Sequence, residues 1–442
     1  MRPLISWSEL AEASVGVWGL GVEGTASIRR LRSMGVVPIL VDDTPPTPTY
    51  EDLEIVATGQ GGLPALLGCD VVIKSPGISR YRAEVAQLEE AGVPVRGGLG
   101  LWLEDVDRTR VACITGTKGK STTAALCVHF LTQLGYSAQA GGNIGQPPWD
   151  PALATTPAYW IIETSSFQVP DLTTGAPVVA VTSLSPDHLD WHTSVERYYA
   201  DKLSLCTKPG VELALIEGSD QALRQHVDVL GSHRRWVGPD DPTAGSGWIR
   251  ALDLPGAHNA RNASMARAVL VGLGIDEARD DRAMAAAAPS FAGLPSRCHS
   301  LGRVAGVEFV DDSLSTNVLP AQAALAAYAG RAVALLVGGH DRGVDYGPLG
   351  HTVAQRDEPT LVVTLPDNGP RIGAAILGVA GDRVEVVDAD GLDQAVAVAF
   401  EWARPGTVVL LSPGAPSFGH FSDYRDRARA FAEAAIRCGT IS

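Results

Sequence analysis

The sequence predicts an α/β protein of three domains, each built on a mostly parallel sheet, and three observations carry that expectation. Short apolar strands alternate with helix-length stretches along the chain, the pattern of strand–helix–strand units. Two glycine-rich loops each follow an apolar strand and open a helix, at residues 19–24 and 116–122. At 442 residues the chain also exceeds what a single hydrophobic core supports. The expected domains are 1–106, Rossmann-like; 107–298, a central phosphate-loop domain; and 299–442, a second Rossmann-like α/β unit.

Ser14 to Trp18 (SVGVW) reads as a strand running into Gly19, Gly21 and Gly24, followed by a helical stretch to about Met34 and a strand from Val36 to Val41 that ends in Asp42. Strand-like runs at Asp70 to Ile73 and Val93 to Val95 extend the same sheet, and Pro45 to Pro48 reads as a surface turn. The charged segment Glu104 to Arg110 is the expected linker, after which Val111 to Ile114 opens a second series through Tyr159 to Ile162, Val178 to Thr182 and a helix over Val195 to Leu205. A third set of strands is expected at Val307 to Val310, Ala332 to Val337, Thr360 to Thr364, Arg383 to Val387 and Thr407 to Leu411, between alanine-rich helices.

Hydrophobic residues make up 45% and charged residues 19% of the chain, a globular rather than disordered balance. A net charge of -15 argues against nucleic acid and against an anionic membrane surface, so an anionic substrate has to be captured by local lysines and backbone amides. The six cysteines (Cys69, Cys113, Cys127, Cys206, Cys298, Cys438) form no CxxC pair or short-spaced framework and read as free thiols of a reducing compartment. The start MRPLISWSEL lacks the pattern of a signal peptide and no apolar run is long enough to span a bilayer, so a cytoplasmic location is expected.

Gly19, Gly21 and Gly24 with Asp42 give the context of a dinucleotide fingerprint, and read alone they leave an NAD(P)-dependent dehydrogenase open beside a simple tight turn. The second loop, Gly116-Thr117-Lys118-Gly119-Lys120-Ser121-Thr122, is sharper. Its glycines let backbone amides converge on phosphate oxygens, Lys120 adds a point charge, and Ser121 offers a hydroxyl to Mg²⁺. It is two residues shorter than the standard phosphate-loop spacing.

A nucleotide phosphate site needs a metal with oxygen ligands, and Glu163, at the end of the strand-like YWIIE, is the candidate. SPDHLDWH places Asp187, His188, Asp190 and His192 within six residues, either a transition-metal cluster, a histidine beside Mg²⁺, or a capped turn. His188 is the favoured ligand. Lys202 in YYADKLSLC is, on residue physics alone, as readily a snorkelling surface lysine.

Taken together, GTKGKST, GGNIG at Gly141 to Gly145, ETSSFQV, SPDHLDWH, ADKLSLC and LPGAHNARNA resemble the Mur ligase superfamily of peptidoglycan synthesis. GLGVEG, KSPGIS and the late DDS and LSP segments resemble its MurD-type branch. The resemblance covers nearly the whole chain, and it implies an N-terminal domain for a UDP-linked substrate, a central ATPase domain and a C-terminal domain for the incoming amino acid. It implies ATP-dependent ligation of glutamate to UDP-N-acetylmuramoyl-L-alanine through an acyl phosphate, by a monomer. Gly19, Gly21, Gly24, Asp42, Ser75, Pro76, Gly77 and Asn143 would then hold the UDP-substrate. Gly116 to Thr122, Asn262, Arg297 and Asp312 would hold ATP, with Lys120 at the moving phosphoryl group. Ser121, Glu163, His188 and a carbamylated Lys202 would serve one or two Mg²⁺ ions.

The sequence departs from the branch mainly near the amino-acid pocket. DSLSTN stands where DSKATN is usual, so Leu314 replaces a lysine while Thr316 and Asn317 remain. GGHDRG offers Arg342 as the carboxylate fork. SPGAPSFGHFSDY keeps Ser417, introduces Pro416 and places Tyr424 where phenylalanine is common. Gly98 and Gly100 stand where acidic residues often occur, and Thr44 replaces a common arginine. The DSLST and GAPSF loops resemble a variant that adds L-glutamate and relies on a separate epimerase, so L-glutamate is expected, with D-glutamate the alternative.

Overall fold

The computed structural model describes residues 5–45, 47–238, 247–252, 254–291 and 293–442; Met1 to Leu4 of the start segment, Pro46 of the proline turn and the side chain of Asp190 lie outside the description. Three six-stranded sheets form among the described residues. By contacts the chain divides into two compact units, Met1–Leu252 with Arg261–Pro289, and Asp253–Ala260 with Ser290–Ser442.

The first unit holds two of the sheets. In spatial order the first runs Thr49–Tyr50, Leu53–Ala57, Ile39–Asp42, Val15–Trp18, Val71–Lys74, Val95–Arg96, parallel except at the Thr49–Tyr50 edge. The second is wholly parallel: Arg234–Val237, Leu213–Glu217, Val178–Val181, Val111–Thr115, Tyr159–Glu163, Ala138–Gly142. Central strands such as VACIT and VVAV are buried on both faces, which is why they read as unbroken apolar runs rather than alternating ones. One core serves both sheets, since Trp7, Leu99 and Trp102 pack in the same cluster as Trp149, Trp160 and Val179.

The expected linker at Glu104 to Arg110 is replaced by structure. The helix Gly98–Asp105 runs into it and a 3-10 turn, Arg108–Arg110, follows. Glycine weakens a helix, but here it allows close packing: a Cβ on Gly98 would lie 2.5 Å from the Trp149 ring, and one on Gly100 3.2 Å from the Asp171 carbonyl.

The second unit holds the third sheet, His299–Val304, Val307–Asp311, Val408–Leu411, Val333–Gly339, Thr360–Asp367, Glu385–Asp388, with only the His299–Val304 edge antiparallel. Apolar clusters fill both faces, one around Leu335, Val337 and Ile372, the other around Leu336, Val363 and Phe431. No helix among the described residues is long and apolar enough to cross a membrane.

Candidate functional site

The strand Val111–Thr115 delivers the chain into the phosphate-type loop, and two glycines there are sterically required. Gly116 has φ +138°, and a Cβ on it would lie 2.2 Å from Thr182 Oγ1. Gly119 has φ +88° and caps the helix Lys120–Gln133, with Asn262 Oδ1 2.5 Å from its Cβ position. The loop is stitched to the end of the neighbouring strand: Thr182 Oγ1 donates to the Lys118 carbonyl at 2.6 Å, Ser183 Oγ accepts from the Lys118 amide at 2.8 Å, and the Ser183 carbonyl accepts from the Thr117 amide at 2.9 Å. Thr117 Oγ1 pairs with Tyr198 Oη at 2.9 Å. What results is a helix N-terminus whose first-turn amides, including those of Ser121 and Thr122, face away from the helix's own carbonyls, the geometry that receives phosphate.

Two lysines converge on one atom of this loop. Lys120 Nζ and Lys202 Nζ both donate to the Gly116 carbonyl, at 2.9 and 2.8 Å. Lys202 is only 1% exposed, so the snorkelling reading gives way to a buried amine. Burial, with the nearby charge of Lys120, holds its pKa well below the usual lysine range against the opposing pull of Asp187 and Glu163. Such a lysine carries a neutral, nucleophilic amine far more of the time than an exposed one.

Glu163 ends the strand that pairs with Val111–Thr115, opposite Ile114. Asn143, on the turn after Ala138–Gly142, donates its amide nitrogen to the Glu163 carbonyl and its Nδ2 to Glu163 Oε1, both at 2.8 Å. The other carboxylate oxygen, Oε2, is buried without a hydrogen-bond partner among the described residues. A buried, orphaned carboxylate oxygen beside a phosphate-type loop is a fitting ligand for a hard divalent cation, and the buried Ser121 hydroxyl adds a second oxygen.

His188 takes a left-handed conformation, φ 52°, at the start of the short helix Leu189–His192. Burial lowers its pKa below 6.5, with Asp187 opposing and Lys202, Lys118 and Lys120 reinforcing, so its imidazole is neutral and able to ligate at pH 7. Asp187 pairs with Lys118 at 3.2 Å. His192 is structural: it is fully buried, its Nδ1 pairs with Asp201 at 2.7 Å, and its Nε2 pairs with Ser166 Oγ at 3.0 Å. The clustered motif therefore divides, and no metal-type cluster of three or more His, Cys, Asp or Glu forms among the described residues.

At the other glycine loop, Gly19 (φ +91°) and Gly24 are required by fit, since a Cβ on Gly24 would lie 1.9 Å from the Gly19 carbonyl oxygen. Gly21 is different. Its φ is -70° and nothing lies within 4 Å of its Cβ position, so it leaves open space at the N-terminus of the helix Val22–Ser33. Asp42 is committed to backbone, accepting from the Leu20 and Thr44 amides at 2.8 and 3.0 Å. Ser75 Oγ donates to the Gly19 carbonyl at 2.6 Å, the Pro76 carbonyl accepts from Trp191 Nε1 at 3.1 Å, and Gly77 faces open space.

In the second unit Thr316, Arg342, Ser417 and Tyr424 line one cavity of about 210 Å³ with Pro416, Phe418 and Asp423. All four candidate amino-acid residues are thus brought together, from three loops and a helix start. Asp312 turns inward: Ser315 Oγ and Ser412 Oγ donate to its Oδ2 at 2.5 and 2.7 Å, the Cys298 amide to its Oδ1 at 3.1 Å, and burial lifts its pKa to about 6. Arg297 is half-buried in the turn before His299–Val304. Asn262, on the helix Ala257–Gly272, sets its Oδ1 3.5 Å from Thr123 Oγ1.

Three family models match successive segments: a MurD-like N-terminal domain at residues 13–97, the Mur ligase middle domain at 114–236, and the Mur ligase glutamate ligase domain at 296–414. A protein of Xanthomonas euvesicatoria pv. vesicatoria named UDP-N-acetylmuramoyl-L-alanine--L-glutamate ligase is 40% identical, with 97% of this chain and 96% of that protein covered. The chain belongs to the Mur ligase family. A Micromonospora protein of the same name is 37% identical over 97% of each chain. Among solved structures, the UDP-N-acetylmuramate-alanine ligase MurC of Thermotoga maritima matches with TM-score 0.58 at 18% identity, covering 97% of this Mur ligase and 100% of that chain. The MurF ligase of Thermotoga maritima in complex with ADP matches with TM-score 0.55 at 15% identity over 99% of each. These likenesses establish the three-sheet fold.

Several supporting residues of this Mur ligase have roles that the motifs do not announce. Thr182 and Ser183 brace the phosphate-type loop, and Lys74 with Arg80 buries Asp171 between them at 2.9 and 2.5 Å. Gln168 Nε2 donates to Glu23 at 2.6 Å, and burial lifts the Glu23 pKa to about 7 despite that bond. Thr182 sits at the end of a strand whose loop must meet the glycines, a placement that only the sheet order reveals.

Proposed function

We propose that this Mur ligase joins L-glutamate to UDP-N-acetylmuramoyl-L-alanine at the expense of ATP, through an acyl phosphate. The observation that carries the proposal is the convergence of Lys120 and Lys202 on the Gly116 carbonyl, in electrostatic reach of Glu163, whose Oε2 is an orphan. The relatives' names support glutamate and its L configuration. The three segments matched by family models support domains at 1–106, 107–298 and 299–442, and the reading takes the enzyme as a monomer.

The substrate carboxylate attacks the γ-phosphorus, ADP leaves, and a poor leaving oxygen becomes phosphate. The glutamate amine then attacks the acyl carbon, the amide forms, and phosphate departs with its oxygen. Gly116 to Thr122 hold the ATP phosphates through backbone amides, and Lys120 steadies the transferred group. Asn262, Arg297 and Asp312 are assigned to the nucleoside end. Gly19, Gly21, Gly24, Asp42, Ser75, Pro76, Gly77 and Asn143 anchor the UDP-sugar, with open space at Gly21 and Gly77 supporting that role. Thr316, Arg342, Ser417 and Tyr424 take the glutamate.

Ser121, Glu163 and His188 are assigned to one or two Mg²⁺ ions, and Lys202, after its neutral amine adds CO₂ and loses a proton, to their support as a carbamate. Bound Mg²⁺ supplies charge neutralisation at the phosphates and polarises the transferred group. With an L-glutamate product, a separate epimerase has to act afterwards wherever D-glutamate is needed.

Phosphate release with each component omitted in turn tests the reading. Release is expected only with ATP, UDP-N-acetylmuramoyl-L-alanine and L-glutamate together. Equal release without the UDP-sugar overturns the ligase reading, and turnover with D-glutamate alone reverses the enantiomer.

A further inference from the structure

Arg427 lies one turn into the helix Tyr424–Cys438 and is 1% exposed. Among the described residues it has no carboxylate partner within ion-pair distance, and its Nε is buried with no hydrogen-bond partner. A buried guanidinium with no carboxylate in contact is costly even though Asp311 and Asp312 act on it from farther off, and an apolar side chain would fill the same volume at less cost. The fork is spent on backbone carbonyls instead. Nη2 donates to the Ser313 carbonyl at 2.8 Å, both terminal nitrogens donate to Ala415 at 3.2 Å, and Nη1 reaches Gly338 at 3.5 Å.

The Ser313 and Ala415 carbonyls lie in two loops and that of Gly338 in the end of the strand Val333–Gly339, just before a third loop; each of the three loops carries a wall of the amino-acid cavity. Ser313 precedes Thr316, Gly338 precedes Arg342, and Ala415 precedes Ser417, while the helix bearing Arg427 begins at Tyr424 itself. The loops also meet directly, with the Gly414 amide on the Ser315 carbonyl at 2.9 Å and the His340 amide on the Pro416 carbonyl at 2.8 Å. Gly339 must lack a side chain there, because its Cβ would lie 2.1 Å from the Pro416 carbonyl oxygen.

We propose that Arg427 is the positioning residue of the amino-acid pocket, one planar cation fixing the relative placement of the loops that present Thr316, Arg342 and Ser417. It is not among the residues that line that cavity, although it borders the adjoining one with Gly338, Gly339 and Ser417, and it acts through those loops. Lysine cannot replace it, since a single ammonium lacks the rigid fork that spans separated acceptors. The proposal rests on the reading of this cavity as the glutamate site.

The test compares the wild type with Arg427→Lys and Arg427→Met in the full chain. In Arg427→Lys the KM for glutamate is expected to rise roughly tenfold to a hundredfold, while the KM values for ATP and the UDP-sugar stay within about twofold. Hydroxylamine, an amine that needs no pocket, should trap the acyl phosphate as hydroxamate at the wild-type rate. Amide hydrogen exchange, read without any substrate, should quicken in loops 313–316, 338–342 and 415–418 and nowhere else in Arg427→Lys, which keeps the test alive if Arg427→Met fails to fold. An unchanged glutamate KM, or a parallel fall in the hydroxylamine rate, overturns the proposal, as does exchange that quickens across the whole unit. If the wild type itself ignores glutamate while the three loops still loosen in the variant, the assignment of the pocket has failed and the clamp has not.

Discussion

Glu163→Gln separates stability from function at a single atom. In the wild type the buried Oε2 has no partner, while Oε1 is held by Asn143 at 2.8 Å. An unsatisfied buried polar group costs about 1–3 kcal/mol, and more when it is charged. Glutamine keeps the Asn143 bond through its own oxygen and places a neutral group at the orphan position. The metal-free variant is therefore expected to be more stable than the wild type by about 1–2 kcal/mol, roughly 2–8 °C in Tm for a unit of this size. Activity should move the other way, falling about a hundredfold or more if Oε2 steadies charge at the phosphates. Thermal melts with and without Mg²⁺ and nucleotide, beside phosphate release, read both effects. A variant that melts lower without metal and still turns over at a comparable rate refutes the assignment of Glu163.

Gly119→Ala forces a side chain onto φ +88°, 2.5 Å from Asn262 Oδ1; the backbone strain alone costs about 1–2 kcal/mol, and a rise in the KM for ATP of roughly tenfold is expected from the displaced loop. Lys202→Ala should lose activity about a hundredfold or more, and the wild type should weaken in CO₂-depleted buffer and recover with bicarbonate, a response absent from the variant. Glu23 has its carboxyl lifted from 4.5 to about 7 by burial. The native state therefore holds this proton more tightly than the unfolded chain, giving stability that is present below pH 4.5 and lost as pH rises towards 7. The loss is at most about 3 kcal/mol, and denaturant titrations from pH 4.5 to 8 should show it flattened in Glu23→Gln.

Sequence reading went furthest where chemistry is local. Glycine loops at residues 19–24 and 116–122 announce their strands and helices because only glycine tolerates the contacts at Gly19, Gly24, Gly116 and Gly119, and each loop sits where its motif places it. The strand Ala138–Gly142 (AQAGG) has no β-branched residue, and it forms because Tyr159–Glu163 pairs with it along its whole length. Arg234–Val237 carries two arginines at a sheet edge, where periodicity cannot reveal a strand. Glu104 to Arg110 looked like a linker because charge and scarce apolar residues mark loops, yet the apolar GLGLWL before it carries a helix in. Among the groups proposed as functional, Lys120, Glu163 and His188 are legible from motifs. The burial of Lys202 is not, because its apolar flanks fit a surface helix equally well. Arg427 is invisible in sequence, as its partners are backbone carbonyls scattered over about a hundred residues.

The central claim is that ATP activates a carboxylate for amide formation, and oxygen transfer tests it most directly. With UDP-N-acetylmuramoyl-L-alanine labelled with ¹⁸O at both carboxylate oxygens, ATP and L-glutamate, the released phosphate should carry one labelled oxygen and the new amide carbonyl should keep the other. Unlabelled phosphate, released while the UDP-sugar keeps both labels, would contradict the account, because water rather than the substrate carboxylate would then have taken the phosphoryl group.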